Sequence, residues 1–352
     1  MTVHSIYLEI TNQCNLNCRT CYNRSGINRE RKEISPKQTE QIIQTFLPDG
    51  LQRVLFSGGE PTLHTQFEQI LRLIDRYPAL SFGLVTNGTV HSPALIEAIN
   101  TRKNFWIQIS LDGSTEEVNA KTRGMGNFAK TLDFIRQLKT PATPPLMKCV
   151  LSQQNLDDLE AYYDLACSLN CIPEFAAIYR SGNGASNWEQ KVLSPQQRIG
   201  ILSRIKTLNQ TYGISAFLPH CTGTCPFSTE TLKLSLCVRT DGAVQPCQML
   251  YGDKFTLTNM FCFDRKEFQE NLDRICRIAV ARKQKDYGCY SCPLRGFCGK
   301  GCMAMAEDLE GDPTGCDGDC DLRRLQLFSF HTKEGLKLRW NKNRKPPRSG
   351  ET

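Results

Sequence analysis

Apolar and polar positions follow two distinct patterns over the first 215 residues. Short apolar runs bounded by turn residues predict buried strands, and apolar residues recurring every three or four positions predict amphipathic helices. A serine–proline pair precedes three of the helical segments, where serine caps the helix and proline fits its first turn. The predicted strands are 5–9, 53–56, 82–85, 105–109, 147–151 and 174–178, and the predicted helices are 39–46, 67–77, 94–99, 128–138, 156–169 and 196–208.

Strand and helix follow each other six times in this part of the chain. Successive βα units predict an α/β domain with a parallel sheet and right-handed crossover connections. A doubly wound sheet and an incomplete barrel both satisfy this order. We therefore expect residues 1–215 to form one domain, with any ligand site at the carboxyl ends of its strands.

Residues 216–330 differ from the first 215 in composition and in the pattern of apolar positions. Only 263–281 has the pattern of a long helix, and 233–246 predicts a hairpin around Asp241-Gly242, a pair that supplies the positive φ angles of a tight turn. The remainder is rich in cysteine and too poor in apolar periodicity to build a core of its own. Bound metal is the simplest means of stabilising such a segment.

The composition narrows the class of protein. The chain has 352 residues, enough for two domains, and 18 cysteines, several times the usual share. Residues 1–9 lack the basic and apolar parts of a secretory signal, and no run of 18 apolar residues suggests a membrane span. We therefore expect a cytoplasmic protein without a membrane partner. In that reducing compartment clustered cysteines bind metal or carry out redox chemistry more often than they form disulfides.

The formal net charge of +7 comes mostly from the end of the chain. Residues 336–350 contain no acid, and the rest of the protein is close to neutral. We expect residues 331–352 to form a basic, mobile tail, with docking to an acidic partner as the alternative. A nucleic acid partner is not expected, because the excess of positive charge is confined to the basic residues of this tail. They are Lys337, Arg339, Lys342, Arg344, Lys345 and Arg348.

Three cysteines follow the first predicted strand in the spacing C-x3-C-x2-C, namely Cys14, Cys18 and Cys21. Three thiolates in one loop can hold an iron–sulfur cluster and leave one coordination position open. A structural zinc site instead takes four ligands and is closed, whereas an open position is typical of a site that binds a reactant. The spacing therefore predicts a cluster that takes part in a reaction.

Polar and glycine-rich motifs also follow the second, third and fourth predicted strands. Gly58 and Gly59 precede Glu60-Pro61, and glycine there lets a ligand approach the main chain more closely than a Cβ would allow. Since the carboxyl ends of parallel strands meet at one edge, we expect these motifs to surround a single site. The other members are Thr86 and Asn87 after the third strand, Ser110 at the end of the fourth, and Arg123 in the loop beyond it.

Together these motifs resemble those of the radical S-adenosylmethionine (SAM) enzymes. In that family the three cysteines hold a [4Fe-4S] cluster whose open iron binds SAM, and reductive cleavage of SAM gives a 5′-deoxyadenosyl radical that abstracts a substrate hydrogen atom. The resemblance implies a partial (β/α)6 TIM-like barrel. The SAM contacts that it implies are Gly58, Gly59, Glu60 and Pro61 for the amino group, Thr86 and Asn87 for the ribose, and Ser110 and Arg123 for the carboxylate.

A second set of cysteines follows the pattern C-x2-C-x5-C-x3-C between Cys289 and Cys302, and a G-x4-C pattern upstream ends at Cys247. These patterns resemble the SPASM domain, a loop-rich extension organised by one or two auxiliary iron–sulfur clusters. The resemblance implies Cys225, Cys237, Cys247 and Cys302 as ligands of the first auxiliary cluster and Cys289, Cys292, Cys298 and Cys320 as ligands of the second, with Cys221 and Cys316 as alternates.

Five further cysteines belong to no motif. Free cysteine is among the most buried residue types, so we expect these five in the apolar core. Two of them lie near predicted strands and are candidate hydrogen-atom donors, Cys149 and Cys171. The others are Cys167, Cys262 and Cys276.

SPASM-containing members of the family mostly modify peptides or proteins. The resemblance therefore implies a maturase of a ribosomally made peptide, forming a cross-link, an epimer or another oxidative modification. Anaerobic sulfatase maturation is the alternative activity, but those enzymes carry an aspartate after the G-x4-C cysteine. This chain has Gln248 there, which cannot accept a proton as a carboxylate can. A zinc-organised interaction protein is the alternative of another class.

The expected partners follow from this chemistry. The enzyme would take a peptide or protein substrate and a one-electron donor such as flavodoxin or ferredoxin. Because the first strand begins by Ile6, no N-terminal module is expected for a leader peptide. Leader recognition then belongs to a separate leader-binding protein, the basic tail or the barrel mouth. After the sixth strand, Arg180, Gly182 and Asn183 are either part of the site or a polar turn.

Overall fold

The computed structural model describes residues 2–26, 30–216, 225, 227, 232–286, 292, 301–320 and 322–324. Predictions for the basic tail and for Cys221, Cys289 and Cys298 lie outside the described residues. The strands are β1 (Thr2–Thr11), β2 (Arg53–Gly58), β3 (Ser81–Thr86), β4 (Phe105–Ser110), β5 (Leu146–Leu151), β6 (Ile172–Ala177), β7 (Lys233–Val238), β8 (Ala243–Gln245) and β9 (Thr258–Asn259).

Helices connect the strands and follow the sequence pattern closely, as do their capping residues. Ser35 and Ser194 each form a capping box with the glutamine three residues later, so the first turn of each helix has its N–H groups paired. The helices are α1 (Pro36–Phe46), α2 (Phe67–Leu71), α3 (Leu73–Arg76), α4 (Pro93–Thr101), α5 (Glu116–Arg123), α6 (Phe128–Gln137), α7 (Leu159–Ser168), α8 (Pro195–Tyr212), α9 (Arg265–Gln284) and α10 (Met303–Glu310).

The first six strands lie side by side in chain order, and every neighbouring pair is parallel. One face of this sheet packs against the helices through fully buried residues such as Ile6, Phe56, Phe82 and Phe175. Burying each such side chain contributes about 1.5–3 kcal/mol. This architecture confirms the partial barrel.

The opposite face of the sheet is polar and partly open to solvent. Because side chains alternate along a strand, Ser110, Lys148 and Glu174 share this face, and they are paired in register across β4, β5 and β6. Lys148 Nζ lies 3.2 Å from Glu174 Oε1. We call this side the inner face, and it also carries Trp106 and Gln108. A ligand at the carboxyl ends of the strands would contact it.

The sheet continues beyond the first domain predicted from the sequence. β7 pairs in parallel with β1, β8 is antiparallel to β7, and β9 is antiparallel to β8. The β7–β8 hairpin is confirmed, with Gly242 at φ +85° in its turn. Residues on both sides of position 215 therefore share one sheet, and the division into domains at that position stays a prediction.

Two helices were not predicted by apolar periodicity. α5 is polar, and its buried side chains are Asn119 and Thr122, which no hydrophobic pattern identifies. α10 directly follows Cys302 at the edge of the cysteine-rich segment. Within the described residues, no helix combines the length and apolar character needed to cross a membrane.

The unassigned cysteines divide into two groups. Cys149 and Cys171 are buried in the core, and Cys167 and Cys276 pack against it half-buried. Cys262 is exposed, so its assignment to the core is wrong. It lies in the 3-10 turn Met260–Cys262, in which only the methionine is buried.

Candidate active site

The three cysteines of the C-x3-C-x2-C motif lie in the loop that follows β1. All three thiols are free and partly buried. Burial raises the pKa of the Cys14 thiol to about 12 and that of Cys18 to about 11. A thiolate forms at these positions only when a metal or positive charge compensates for its burial. We call residues 12–22 the cysteine loop.

Gly58 and Gly59 are needed because the end of β1 and the cysteine loop approach them. A Cβ on Gly58 would lie 2.1 Å from the carbonyl oxygen of Thr11, and one on Gly59 would lie 2.1 Å from that of Gln13. The N–H of Gly59 donates to Thr11 O at 2.7 Å, and the N–H of Glu60 donates to Gln13 O at 2.7 Å. The sequence suggested that a ligand lies against these glycines. In this structure the backbone of Thr11 and Gln13 lies against them instead.

The Glu60 carboxylate joins the ends of β2 and β3. It is 1% exposed, and its Oε1 accepts hydrogen bonds from the hydroxyls of Thr62 at 2.8 Å and Thr86 at 2.7 Å. Its Oε2 accepts from the backbone N–H of Asn87 at 2.7 Å. Burial raises the pKa of Glu60, and these hydrogen bonds oppose that shift. Contact of Glu60 and Pro61 with SAM stays a prediction.

Asn87 connects the third motif to the cysteine loop. Its Nδ2 donates to Asn15 Oδ1 at 2.9 Å, and its Oδ1 accepts from the Thr89 hydroxyl at 2.6 Å. Asn15 Nδ2 in turn donates to Thr89 Oγ1 at 2.8 Å. The motifs after β1, β2 and β3 therefore form one hydrogen-bonded unit, as expected for residues that surround a single site.

Asp112 is a site residue that the sequence did not single out. It is fully buried and lies two residues after Ser110, where its Oδ1 accepts from the N–H of Val150 at 2.8 Å. Arg123 Nε lies 2.9 Å from Asp112 Oδ2, and Arg123 Nη1 lies 4.0 Å from Cys18 Sγ. Burial lowers the pKa of Arg123, but the Asp112 carboxylate, Cys18 and Cys149 together raise it by more, so the net shift is upward. Arg123 is a fixed cation beside the second cysteine.

The segment after β6 packs against the cysteine loop. A Cβ on Gly182, whose φ is +56°, would lie 2.3 Å from the Tyr22 carbonyl oxygen, and Asn183 N donates to Cys21 O at 2.8 Å. Gly182 and Asn183 therefore contact the cysteine loop, and their role in the site stays a prediction. Arg180 is exposed and interacts electrostatically with Asp308 instead.

The C-terminal cysteines form two groups within the described residues. Burial raises the pKa of Cys247 to about 12, and the neighbouring Cys302 and Cys225 raise it as well. Cys237 is 1% exposed. Burial is the main cause that raises its pKa, followed by the negative charge of Glu9, and Cys247 raises it to a smaller extent. The structure thus brings Cys225, Cys247 and Cys302 together and places Cys237 beside them.

The sulfurs of this first group receive backbone hydrogen bonds. Leu250 N donates to Cys247 Sγ at 3.2 Å, and the N–H groups of Ala304 and Met305, at the start of α10, point at the Cys302 sulfur. Such bonds stabilise a thiolate and influence the reduction potential of a cluster. The half-buried Gln248 follows Cys247, so no carboxylate occupies that position.

Cys316 and Cys320 form the second group. Burial raises the pKa of Cys320, and Cys316 raises it further. The buried Asp317 holds this segment, because it accepts two hydrogen bonds from Arg323 and one from the N–H of Cys302 at 2.8 Å. Only Cys292 of the first three motif cysteines is described, so the ligands of a second auxiliary cluster stay a prediction.

The donor set of the cysteine loop suits an iron–sulfur cluster. The cysteine loop offers three thiols, one open position and a fixed cation, which suits a cluster that binds a further ligand. The chemistry of the donors therefore agrees with a SAM-binding [4Fe-4S] cluster at Cys14, Cys18 and Cys21.

Comparison with known proteins gives the same indication. The Radical SAM superfamily matches residues 8–166. Mycofactocin maturase MftC of Mycolicibacterium smegmatis is 28% identical over 324 residues, which are 89% of this chain and 81% of the relative. The PqqA peptide cyclase of Ruegeria pomeroyi is 24% identical over 333 residues, covering 89% of this chain and 85% of the relative.

A solved structure shares the fold. The structure of anSMEcpe with bound AdoMet and the Kp18Cys peptide aligns with a TM-score of 0.72 and 19% identity. The alignment covers 93% of this chain and 96% of that one.

Proposed function

We propose that the chain is a maturase of a ribosomally made peptide, because residues 8–166 match the Radical SAM superfamily. The observation that carries the proposal is the single hydrogen-bonded unit formed by the cysteine loop, Glu60 and Asn87. The relatives named as a peptide maturase and a peptide cyclase, each aligned over 89% of this chain, support peptide as the substrate class.

Different residues at the site would bind the cluster, bind SAM and stabilise charge. Cys14, Cys18 and Cys21 would hold a [4Fe-4S] cluster, and the open position would take SAM. When bound, the reduced cluster supplies the electron that cleaves SAM to methionine and a 5′-deoxyadenosyl radical. Arg123, fixed by Asp112, stabilises negative charge beside Cys18.

SAM would lie along the carboxyl ends of β2, β3 and β4. Thr86 and Asn87 would meet its ribose, and Ser110 and Arg123 would meet its carboxylate. The substrate would then face the part of the inner face that these motifs leave free. Lys148 and Glu174 are the charged residues there, and each side chain is about a fifth exposed.

The C-terminal cysteines would form a SPASM domain with auxiliary clusters. Cys225, Cys237, Cys247 and Cys302 would bind the first, and the group of Cys316 and Cys320 supports a second. When bound, such clusters would supply an acceptor for the electron left on the substrate. A flavodoxin- or ferredoxin-like donor and a leader-binding protein are the further partners proposed. We propose a cytoplasmic location, because clustered cysteines bind metal more often than they form disulfides in a reducing compartment.

The proposal is tested with anaerobically reconstituted full-length protein, dithionite and SAM. We expect 5′-deoxyadenosine to be released and a peptide encoded beside the gene to change in mass. Absence of 5′-deoxyadenosine would overturn the radical SAM assignment. Conversion of a sulfatase-type peptide to an aldehyde would instead support sulfatase maturation, against which Gln248 argues. A colourless protein that contains zinc and no iron would support the zinc-organised interaction protein.

A further inference from the structure

The segment between β6 and α8 binds backbone carbonyls of the cysteine loop from Cys18 to Tyr22. Asn183 Nδ2 donates to the carbonyl of Cys18 at 2.9 Å, and Asn183 N donates to that of Cys21 at 2.8 Å. Ser181 Oγ donates to the carbonyl of Tyr22 at 2.9 Å. These partners lie about 160 residues from the loop in sequence, as the 165-residue separation of Asn183 and Cys18 illustrates.

Lys191 completes this set of contacts. Its Nζ donates to the carbonyl of Arg19 at 2.9 Å, to that of Asn183 at 2.9 Å and to that of Ser186 at 2.5 Å. An ammonium group has three donors, so all three are used. The residue is 9% exposed, and in the described part of the chain it forms no ion pair.

A buried cation without a carboxylate partner is costly unless an anion lies nearby. Carbonyl dipoles satisfy the hydrogen bonds of Lys191, yet they do not neutralise its charge. The cavity beside it, of about 310 Å³, is lined by Arg19, Lys121 and Lys191 together with amide and hydroxyl side chains, and no carboxylate lines it. The positive charge therefore accumulates on the side of the cysteine loop that faces this cavity.

We propose that Lys191 is a positioning residue of the SAM cluster. It fixes the main chain between Cys18 and Cys21 in the conformation that binds the cluster, and its charge stabilises the anionic, reduced form. The inference rests on the proposed function, which supplies the anion that the charge of Lys191 lacks. Outer-shell groups of this kind influence both the retention of a metal group and its reduction potential.

The test compares Lys191→Met with the matched control Lys121→Met in the full-length, anaerobically reconstituted enzyme. Lys121 lines the same cavity but is exposed. The EPR signal that changes on addition of SAM identifies the relevant cluster among several. We expect Lys191→Met to lose this signal to a chelator about tenfold faster than wild type, as outer-shell substitutions do. We also expect a lower midpoint potential, whereas Lys121→Met keeps the wild-type rate.

Conservative variants separate the charge from simple structural support. Lys191→Arg keeps the charge and should restore the midpoint potential. If Lys191→Met does not fold by circular dichroism, Lys191→Gln replaces it, because it keeps a donor and removes the charge. A wild-type potential and chelation rate in the folded Lys191→Met or Lys191→Gln protein overturns the proposal. Absence of any SAM-sensitive signal in the wild type overturns the proposed function as well.

Discussion

Arg123 Nη1 lies 4.0 Å from the sulfur of Cys18, and the same guanidinium forms a buried ion pair with Asp112. The carboxylate thus fixes a cation beside a residue that the proposed function makes a cluster ligand. It also accepts the N–H of Val150, which connects the site to β5. The cysteine loop is therefore held by charges and backbone contacts from several strands.

Substitution of Asp112 by asparagine should destabilise the fold. The variant leaves Arg123 buried without its counter-ion, and breaking a buried ion pair costs about 3–5 kcal/mol in the free energy of unfolding. Urea denaturation measures the loss. Asp75→Asn is the matched control, because Asp75 pairs with Arg102 at the surface, where such a pair contributes about 0–1 kcal/mol. Equal losses in the two variants would contradict the role given to Asp112.

Gly59→Ala should disturb the cysteine loop directly. The new Cβ would lie 2.1 Å from the carbonyl of Gln13, so the loop or β2 must move, at a cost of about 1–3 kcal/mol or more. We expect lower iron content after reconstitution and a lower melting temperature. Gly200→Ala in α8 has free space around its Cβ and should raise stability by about 1 kcal/mol. Normal iron content in Gly59→Ala would contradict the prediction that the contact between Gly59 and Gln13 holds the cysteine loop in place.

Glu60 should make stability depend on pH. Burial raises its pKa in the folded state, so its contribution is greatest below the pKa of the unfolded chain and falls as pH rises through the folded value. Glu60→Gln loses this dependence and also places an amide N–H against that of Asn87. The difference in unfolding free energy between wild type and variant should narrow from pH 4.5 to pH 8. A difference that widens over this range contradicts the assignment.

The first auxiliary cluster can be tested one cysteine at a time. Cys225→Ala and Cys237→Ala should each lower the iron content of the purified, reconstituted protein by part or all of one cluster. Cys262→Ala is the control, because its thiol is exposed and belongs to no motif. If Cys237→Ala keeps its full iron content while Cys225→Ala does not, Cys237 is not a ligand and Cys221 takes that position in the ligand set.

The parallel strands and the motifs at their carboxyl ends could be predicted because each is encoded by adjacent residues. The N-terminal caps at Ser35 and Ser194 were predicted for the same reason. Asp112 and Lys191 could not, since their roles come from partners brought near by folding. The surroundings of Lys191 in the sequence, Glu189-Gln190, resemble an ordinary solvated turn, yet the side chain reaches Arg19 across the site.

Cys262, which is exposed, also shows what the sequence alone does not predict. Cysteine is buried so often that burial was the reasonable expectation, but a single residue type does not specify which side of a turn faces solvent. Likewise, the sequence explained the glycines after β2 by a ligand, whereas backbone packing against Thr11 and Gln13 already requires them.

The most direct test of the account is the response of the reduced, reconstituted enzyme to SAM. We predict that SAM changes the EPR signal of one cluster and that 5′-deoxyadenosine accumulates, and that Cys14→Ala abolishes both while Cys262→Ala retains both. Unchanged SAM cleavage in Cys14→Ala, or none in the iron-loaded wild type, would contradict a SAM-binding cluster at this loop.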